Sequence, residues 1–221
     1  MYFTLDVISR LGKLTASRMA DATARTKSGW ASSRADYITE LAIERISGLP
    51  TPSYTNANMD WGIKTEAEAR TVYEFVNNVD VVDVGFVPHP RIPMLGASPD
   101  GAIGSDGLLE IKCPKTTTHM QSFRGRFDNK YDKQMQTQMA CTGRQWVDFM
   151  SYDPRVPLEY RVVIRRVHRD DRMIERLEKE AEEFLAEVAA EHTELVALAE
   201  SRSVDALRKA LEASVAKETA A

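Results

Sequence analysis

Asp100, Glu110 and Lys112 are the residues of this chain whose types and spacing most directly imply chemistry. They lie in Met94-Leu-Gly-Ala-Ser-Pro-Asp-Gly, followed by a Gly104-Ser-Asp-Gly turn and then Leu108-Leu-Glu-Ile-Lys-Cys. Two apolar runs joined by a glycine-bounded turn read as a hairpin that brings Asp100 beside Glu110 and Lys112. Residues two apart on a strand share a face, so Glu110 and Lys112 point one way and Ile111 points into the core. Two carboxylates and an ammonium converging at a strand end suit hydrolysis of a phosphodiester. The carboxylates would hold Mg²⁺, which takes oxygen ligands in octahedral geometry and keeps several waters. The metal would activate a water and stabilise charge on the phosphate, with the lysine orienting or deprotonating that water.

On the residues alone a second reading stands beside this one: a surface hairpin on which Glu110 and Lys112 form an ordinary ion pair. Against it, acid and lysine are embedded among Leu108, Leu109, Ile111 and Cys113, where an unpaired charge is costly without a function. Ser98-Pro-Asp-Gly also fixes the backbone on either side of the first carboxylate.

The elements that must position these groups can be read from capping and periodicity. Ser33-Arg-Ala-Asp36 resembles a capping box and opens a helix carrying Ile38, Leu41, Ala42 and Ile46, stopped by Gly48-Leu-Pro50. A second helix is expected from about Asp60 to Asn77-Asn78, with Glu66 and Arg70 one turn apart. Val79 to Val87 alternates as a strand, and a proline-rich link then leads to the hairpin. Asp128 to Cys141 reads as a helix ending at Gly143, and Gln145–Ser151 and Glu159–Val167 as strands. From Arg169 a long amphipathic helix directs Ile174, Leu177, Ala181, Phe184, Leu185 and Val188 inward, and Ser203-Val-Asp-Ala begins a short last helix. The sum is an α/β fold: a central mixed β-sheet flanked by helices, with a helical C-terminal appendage. A single domain spans 1–221, its core over about 10–169 and the helical segment over about 170–221.

Composition narrows the function. The 221 residues are 43% hydrophobic, enough for a substantial core. No apolar run is long enough to span a bilayer, and no basic-then-apolar signal opens the chain. Cys113 and Cys141 offer neither a disulfide framework nor a zinc spacing, and a reducing cytoplasm is the compartment expected. The net charge of -4 hides an asymmetry. Residues 10 to 34 hold six basic residues against one acid, whereas 170 to 221 hold seven basic and fourteen acidic residues. This suits a confined anion-binding surface on an otherwise acidic molecule, although plain solvated helix faces would explain the acidic stretch equally well.

Several motifs together resemble the PD-(D/E)xK nucleases, in particular the phage lambda exonuclease-like (YqaJ-type) viral exonucleases. They are Arg10-Leu-Gly-Lys-Leu-Thr-Ala-Ser17, Trp61-Gly-Ile-Lys-Thr-Glu66-Ala-Glu-Ala-Arg70, Ser98-Pro-Asp100-Gly with Leu109-Glu110-Ile-Lys112-Cys-Pro114, Gln134-Met-Gln136 and Tyr152-Asp-Pro-Arg155. They run in family order over roughly Arg10 to Arg169. The family's tryptophan before the arginine is missing here, where Asp6-Val-Ile-Ser precedes Arg10, and Thr137 stands where an aromatic residue often follows the glutamine pair.

The resemblance implies a restriction-endonuclease-like core and a residue role at each matching position. Asp100, Glu110 and the carbonyl of Ile111 would ligate Mg²⁺, as two ions with Mn²⁺ able to substitute, and Lys112 would position the attacking water. Glu66 would be a third carboxylate; its plain alternative is an ion pair with Arg70. Gln134 would hydrogen-bond within the site; alternatively it faces solvent. Arg10, Ser17 and Ser98 would form a 5'-phosphate pocket, a task suited to a guanidinium and small hydroxyls. Ser17 could equally cap the next helix. Met59 would be a wedge at the DNA end, or an ordinary loop methionine. The implied activity is 5'-to-3' degradation of one strand of duplex DNA, releasing 5'-mononucleotides and leaving 3' single strands for recombination. A ring-shaped homotrimer, a phage single-strand annealing protein as partner and a phage-encoded origin in a bacterial cytoplasm come with it. The alternatives are an endonuclease of the same fold, restriction or junction-resolving, and a non-catalytic DNA-end-binding factor.

Overall fold

The computed structural model describes residues 5–51, 57–202 and 208–209. A short helix α1 (Leu5–Arg10) and strand β1 (Leu14–Thr15) lead through a 3-10 turn (Ala16–Arg18) into α2 (Met19–Ala22). A small exposed hairpin, β2 (Arg25–Thr26) and β3 (Gly29–Trp30), precedes α3 (Ser32–Ser47) and α4 (Ala57–Asn77). Strands β4 (Val81–Val82), β5 (Val87–Pro88), β6 (Leu95–Ala97), β7 (Gly101–Ile103) and β8 (Gly107–Lys112) follow. Then come α5 (Thr116–Phe123), α6 (Asn129–Thr142), β9 (Trp146–Tyr152), β10 (Val162–His168) and the long α7 (Asp171–Ser201).

The main sheet is five-stranded and mixed, in the order β10-β9-β8-β7-β4, with β8 and β9 parallel and the other pairs antiparallel. A second sheet, β1-β6-β5, takes Leu95–Ala97 out of the run expected as the hairpin's first arm, so only Gly101–Ile103 pairs with β8. The turn between β7 and β8 behaves as its glycines require: Gly104 adopts φ 52°, a left-handed conformation costly for other residues. At Gly107 a side chain would collide with the Trp146 indole, its Cβ falling 2.2 Å from the ring.

β8 is buried on both faces, which is why its sequence reads as a nearly continuous apolar run. Leu109 and Ile111 pack with Ala69 and Tyr73 of α4, and with Met150 of β9. Leu108 packs on the opposite face with Met135 and Met139 of α6 and Ile174 of α7. Glu110 shares that second face by strand alternation, so an acid is driven toward α6. A further cluster joins Leu14, Met19 and Ala22 to Tyr37 and Leu41 of α3 and to Leu177, Ala181, Phe184 and Val188 of α7.

The helices expected at 128–141 and from 169 are α6 and α7. Asp128 caps α6 by accepting the Lys130 N–H at 3.0 Å, and Gly143 ends it in the left-handed conformation at φ 73°. On α7 the expected apolar residues are buried, with Leu185 partly so. Three details differ from the sequence expectation. α3 begins at Ser32 after Ala31, with no capping side chain. The run 79–87 is not one strand: β4 joins the main sheet and β5 the second, so the chain changes sheets between them. Leu158–Tyr160 is a 3-10 turn, and β10 starts only at Val162. The helix expected from Ser203 lies outside the described residues.

Candidate active site

The β7–β8 hairpin delivers the three central groups. Asp100 precedes β7 and is locked to β8 from both sides of its backbone. Its N–H donates to the Leu109 carbonyl at 3.1 Å, and its Oδ2 accepts the Ile111 N–H at 2.6 Å. The Asp100 carbonyl accepts from the Arg70 guanidinium, which also pairs with Asp83. Arg70 thus bonds Asp83 and the Asp100 carbonyl rather than Glu66, on which it acts only through its charge.

Glu110 is 1% exposed, which rules out an ordinary surface pair with Lys112. Its Oε1 accepts from the Lys112 ammonium and from Gln134 Nε2 at 2.6 Å; its Oε2 accepts from Gln138 Nε2 at 2.5 Å. A buried carboxylate needs such partners, and α6 supplies two amides one turn apart.

The electrostatics of the cluster follow from crowding. Loss of hydration and then the neighbouring Glu110 charge raise the Asp100 carboxyl well above its usual range, with Lys112 opposing. Burial alone would lower the Lys112 pKa, but Glu110 and Asp100 outweigh it and raise the value above normal. Glu110 and Asp100 thus favour the ammonium form of Lys112. Glu66, exposed at the mouth, has its pKa raised by lost hydration, opposed by Lys112 and reinforced by Glu110. Burial, then the Glu66 and Asp100 charges, push the Cys113 thiol up to about 12, which favours its neutral form, and its side chain packs with the Leu109 and Ile111 cluster.

Arg10, Ser17, Glu66, Ser98, Asp100, Glu110, Lys112 and Gln134 all line one cavity of about 310 Å³, together with Thr15, Ala16 and Gln138. The structure thus brings together every side chain singled out from the sequence except Met59, whose side chain lies outside those described. Ser17 sits in the 3-10 turn, its Oγ 3.2 Å from Thr15 Oγ1, and caps no helix. The Ser98 hydroxyl is buried without a hydrogen-bond partner among the described residues. Gln136 belongs elsewhere: it receives the Asp170 N–H and donates to the His168 carbonyl, tying α6 to the start of α7. Asp153 and Arg155 clamp the end of β9 to Thr116 and the Pro114 carbonyl. Gln138 was not singled out by sequence; its position one turn beyond Gln134 was the available signal.

The donor chemistry fits a hard divalent cation. All candidate ligands are oxygens, and Asp100, Glu110 and Glu66 crowd like charges that a cation would relieve. Among the described residues no group of three or more His, Cys, Asp or Glu side chains stands ready to hold a metal. Asp100 and Glu110 would therefore need help from backbone and water.

A mixed sheet with a buried acid-x-lysine strand at its centre defines the class as a nuclease-type α/β fold. The YqaJ-like viral recombinase domain model matches residues 7–145. The chain belongs to that family, as its motifs implied. It is similar to the crystal structure of an alkaline exonuclease (LHK-Exo) from Laribacter hongkongensis, with TM-score 0.81 and 46% identity over 88% of this chain and 96% of that one. LHK-Exo in complex with dAMP matches at TM-score 0.81 and 46% identity, over 87% of this chain and 95% of that one. A phage related exonuclease from Haemophilus somnus 129PT shares the fold at TM-score 0.63 and 13% identity, over 84% and 95% of the two chains. A search of curated proteins returns no match. No described helix is long and apolar enough to cross a membrane.

Proposed function

We propose that this protein is a Mg²⁺-dependent exonuclease that enters duplex DNA at an end and degrades one strand 5' to 3'. It releases 5'-mononucleotides and leaves 3' single strands for recombination by annealing. The observation that carries the reading is the single cavity in which Asp100, Glu110 and Lys112 meet Arg10, Ser17 and Ser98. An acid-acid-lysine set beside a guanidinium and hydroxyls suits a scissile phosphate and a terminal phosphate at once. Family membership and the 46% identity to an alkaline exonuclease support it. That enzyme is also described with dAMP, a nucleoside monophosphate such as this reaction would release.

Asp100 and Glu110, with the Ile111 carbonyl, would hold the cation, as two ions when Glu66 takes part, and Mn²⁺ would substitute. When bound, it neutralises charge on the scissile phosphate and lowers the pKa of water. Lys112, fixed as an ammonium on Glu110, orients the attacking water with an N–H. Gln134 keeps Glu110 from swinging toward the lysine alone. Arg10, Ser17 and Ser98 seat the 5'-phosphate, so the strand registers one nucleotide from its end. Attack on phosphorus breaks its bond to the 3'-oxygen, which leaves and takes up a proton, and the shortened strand again begins with a 5'-phosphate. Met59 is assigned the wedge at the end of the duplex.

A ring-shaped homotrimer, a phage annealing partner and a bacterial cytoplasm complete the proposal on the family's example. Linear and covalently closed DNA, each with Mg²⁺ or a chelator, test the activity. Only linear DNA with Mg²⁺ should be degraded, and cutting of closed circles would reject the exonuclease in favour of an endonuclease. Sedimentation should report about three times the chain mass of 24.8 kDa.

A further inference from the structure

Glu110 lies between two amides of α6, with Gln134 donating to Oε1 at 2.6 Å and Gln138 to Oε2 at 2.5 Å. The carboxylate can only accept, so Gln138 must turn its NH₂ toward it and its carbonyl away. That carbonyl, Oε1, is buried and has no hydrogen-bond partner among the described residues, although Gln138 is 0% exposed and lines the active-site cavity. An acceptor shut away from bulk solvent calls for a donor within the cavity. The Lys112 ammonium is not that donor, since it turns to Glu110 and makes no bond to Gln138. Water is, and the most strongly donating water available there is one polarised by a divalent cation, since Mg²⁺ keeps several of its waters when bound by carboxylates.

We propose that Gln138 is a positioning residue that couples Glu110 to the hydration shell of the catalytic cation: its NH₂ fixes one ligand oxygen while its carbonyl accepts from a cation-bound water. The assignment rests on the metal-dependent reading above. It separates the two glutamines: Gln134 shares Oε1 with the lysine, whereas Gln138 alone governs Oε2, leaving that oxygen's remaining lone pair for the metal. Loss of such an outer partner typically weakens metal affinity about 10–100-fold.

Gln138→Met keeps length and approximate volume while removing the amide, and Gln138→Leu serves as a second variant with different packing; thermal melts of both report on folding. Titration calorimetry with Mg²⁺ on the DNA-free protein should show affinity weakened by about tenfold or more. The Mg²⁺ concentration for half-maximal cleavage of linear DNA should move by the same factor, while turnover at saturating Mg²⁺ recovers most of its value. Wild-type Mg²⁺ affinity in a folded variant would overturn the proposal alone. So would a drop in turnover at every Mg²⁺ concentration with an unmoved midpoint, which is the mark of a merely structural glutamine. If the wild-type protein binds no Mg²⁺ that Asp100→Asn removes, the metal-dependent reading fails and this assignment with it.

Discussion

Asp100 is tied to its own catalytic strand: Oδ2 accepts the Ile111 N–H at 2.6 Å, so one carboxylate both closes the hairpin and faces the cavity. Asparagine can still accept that N–H through its side-chain oxygen, whereas alanine cannot. Asp100→Asn should therefore keep the fold and DNA-end binding while cleavage falls by a factor of about 10³ or more, on the scale of a lost electrostatic element in a preorganised site. Asp100→Ala should lose stability as well, by about 1 kcal/mol for the missing bond. Paired cleavage assays and urea melts check both; near wild-type turnover in Asp100→Asn would remove the site as described.

Ser98 offers the opposite separation. Its hydroxyl is buried without a partner among the described residues, an arrangement that costs a fold about 1–3 kcal/mol. Ser98→Ala should consequently stabilise the protein by about 1 kcal/mol yet weaken its preference for phosphorylated ends. A melting temperature that falls instead would show that the hydroxyl is already satisfied.

Arg10 lines the same cavity at its exposed mouth. If it meets a terminal phosphate with charge-assisted bonds of roughly 1.5–3 kcal/mol, phosphorylated ends should be cut about ten- to hundredfold faster than hydroxyl ends. Arg10→Ala should erase most of that ratio while sparing hydroxyl-ended DNA, measured under single-turnover conditions. An unchanged ratio would move the pocket elsewhere.

Asp153, at the end of β9, gives a pH test on a carboxylate outside the hairpin. Burial raises its pKa, but bonds from Arg155 and Thr116 more than compensate and lower it to about 2. A depressed carboxylate contributes stability above its unfolded pKa, and that contribution is lost as pH falls from about 4 through about 2. The shift corresponds to on the order of 2 kcal/mol at neutral pH. Asp153→Asn should lower stability by roughly that amount at pH 7 and converge on wild type near pH 2. Melts that stay equally separated across this range would show another origin.

Arg34 joins distant parts of the chain. It donates to the Ala22 carbonyl at 2.8 Å and to both oxygens of Glu187 on α7, while stacking 3.9 Å from the Trp30 ring centre. At 2% exposure it cannot be rehydrated once unpaired. Glu187→Ala should cost on the order of 3 kcal/mol, because it strands the buried guanidinium. Arg34→Ala should also destabilise, by removing the Ala22 bond and the ring contact, although the half-exposed Glu187 it leaves behind can rehydrate. Equal wild-type melting in both variants would contradict this clamp.

Much of the site was legible because its chemistry is local. Asp100, Glu110 and Lys112 fall on one hairpin whose turn is bounded by Gly104 and Gly107, and α6 carries a side-chain cap and a glycine stop. What was not legible depends on tertiary placement. Gln138 shows its purpose only once strand alternation turns Glu110 toward α6, because nothing in the local sequence names that face. Val81 and Val87 have one alternating pattern between them, yet Phe86 packs against Gly96 of the second sheet and draws its segment away. α5 opens with three threonines, poor helix formers, and its buried His119 is held by Ser151 and the Tyr160 carbonyl.

The clamp between Arg34 and Glu187 spans 153 positions, and the residues flanking Ser17, Leu14 and Met19, rest on the same α7 surface. During synthesis the chain emerges from its N-terminus, so the hairpin with Asp100, Glu110 and Lys112 is complete while that support is still unmade. The wall proposed to seat a strand end gains its footing only when α7 docks. On the proposed function, cutting competence therefore waits for α7, because Leu108 of the hairpin and the wall beside Ser17 both lean on it.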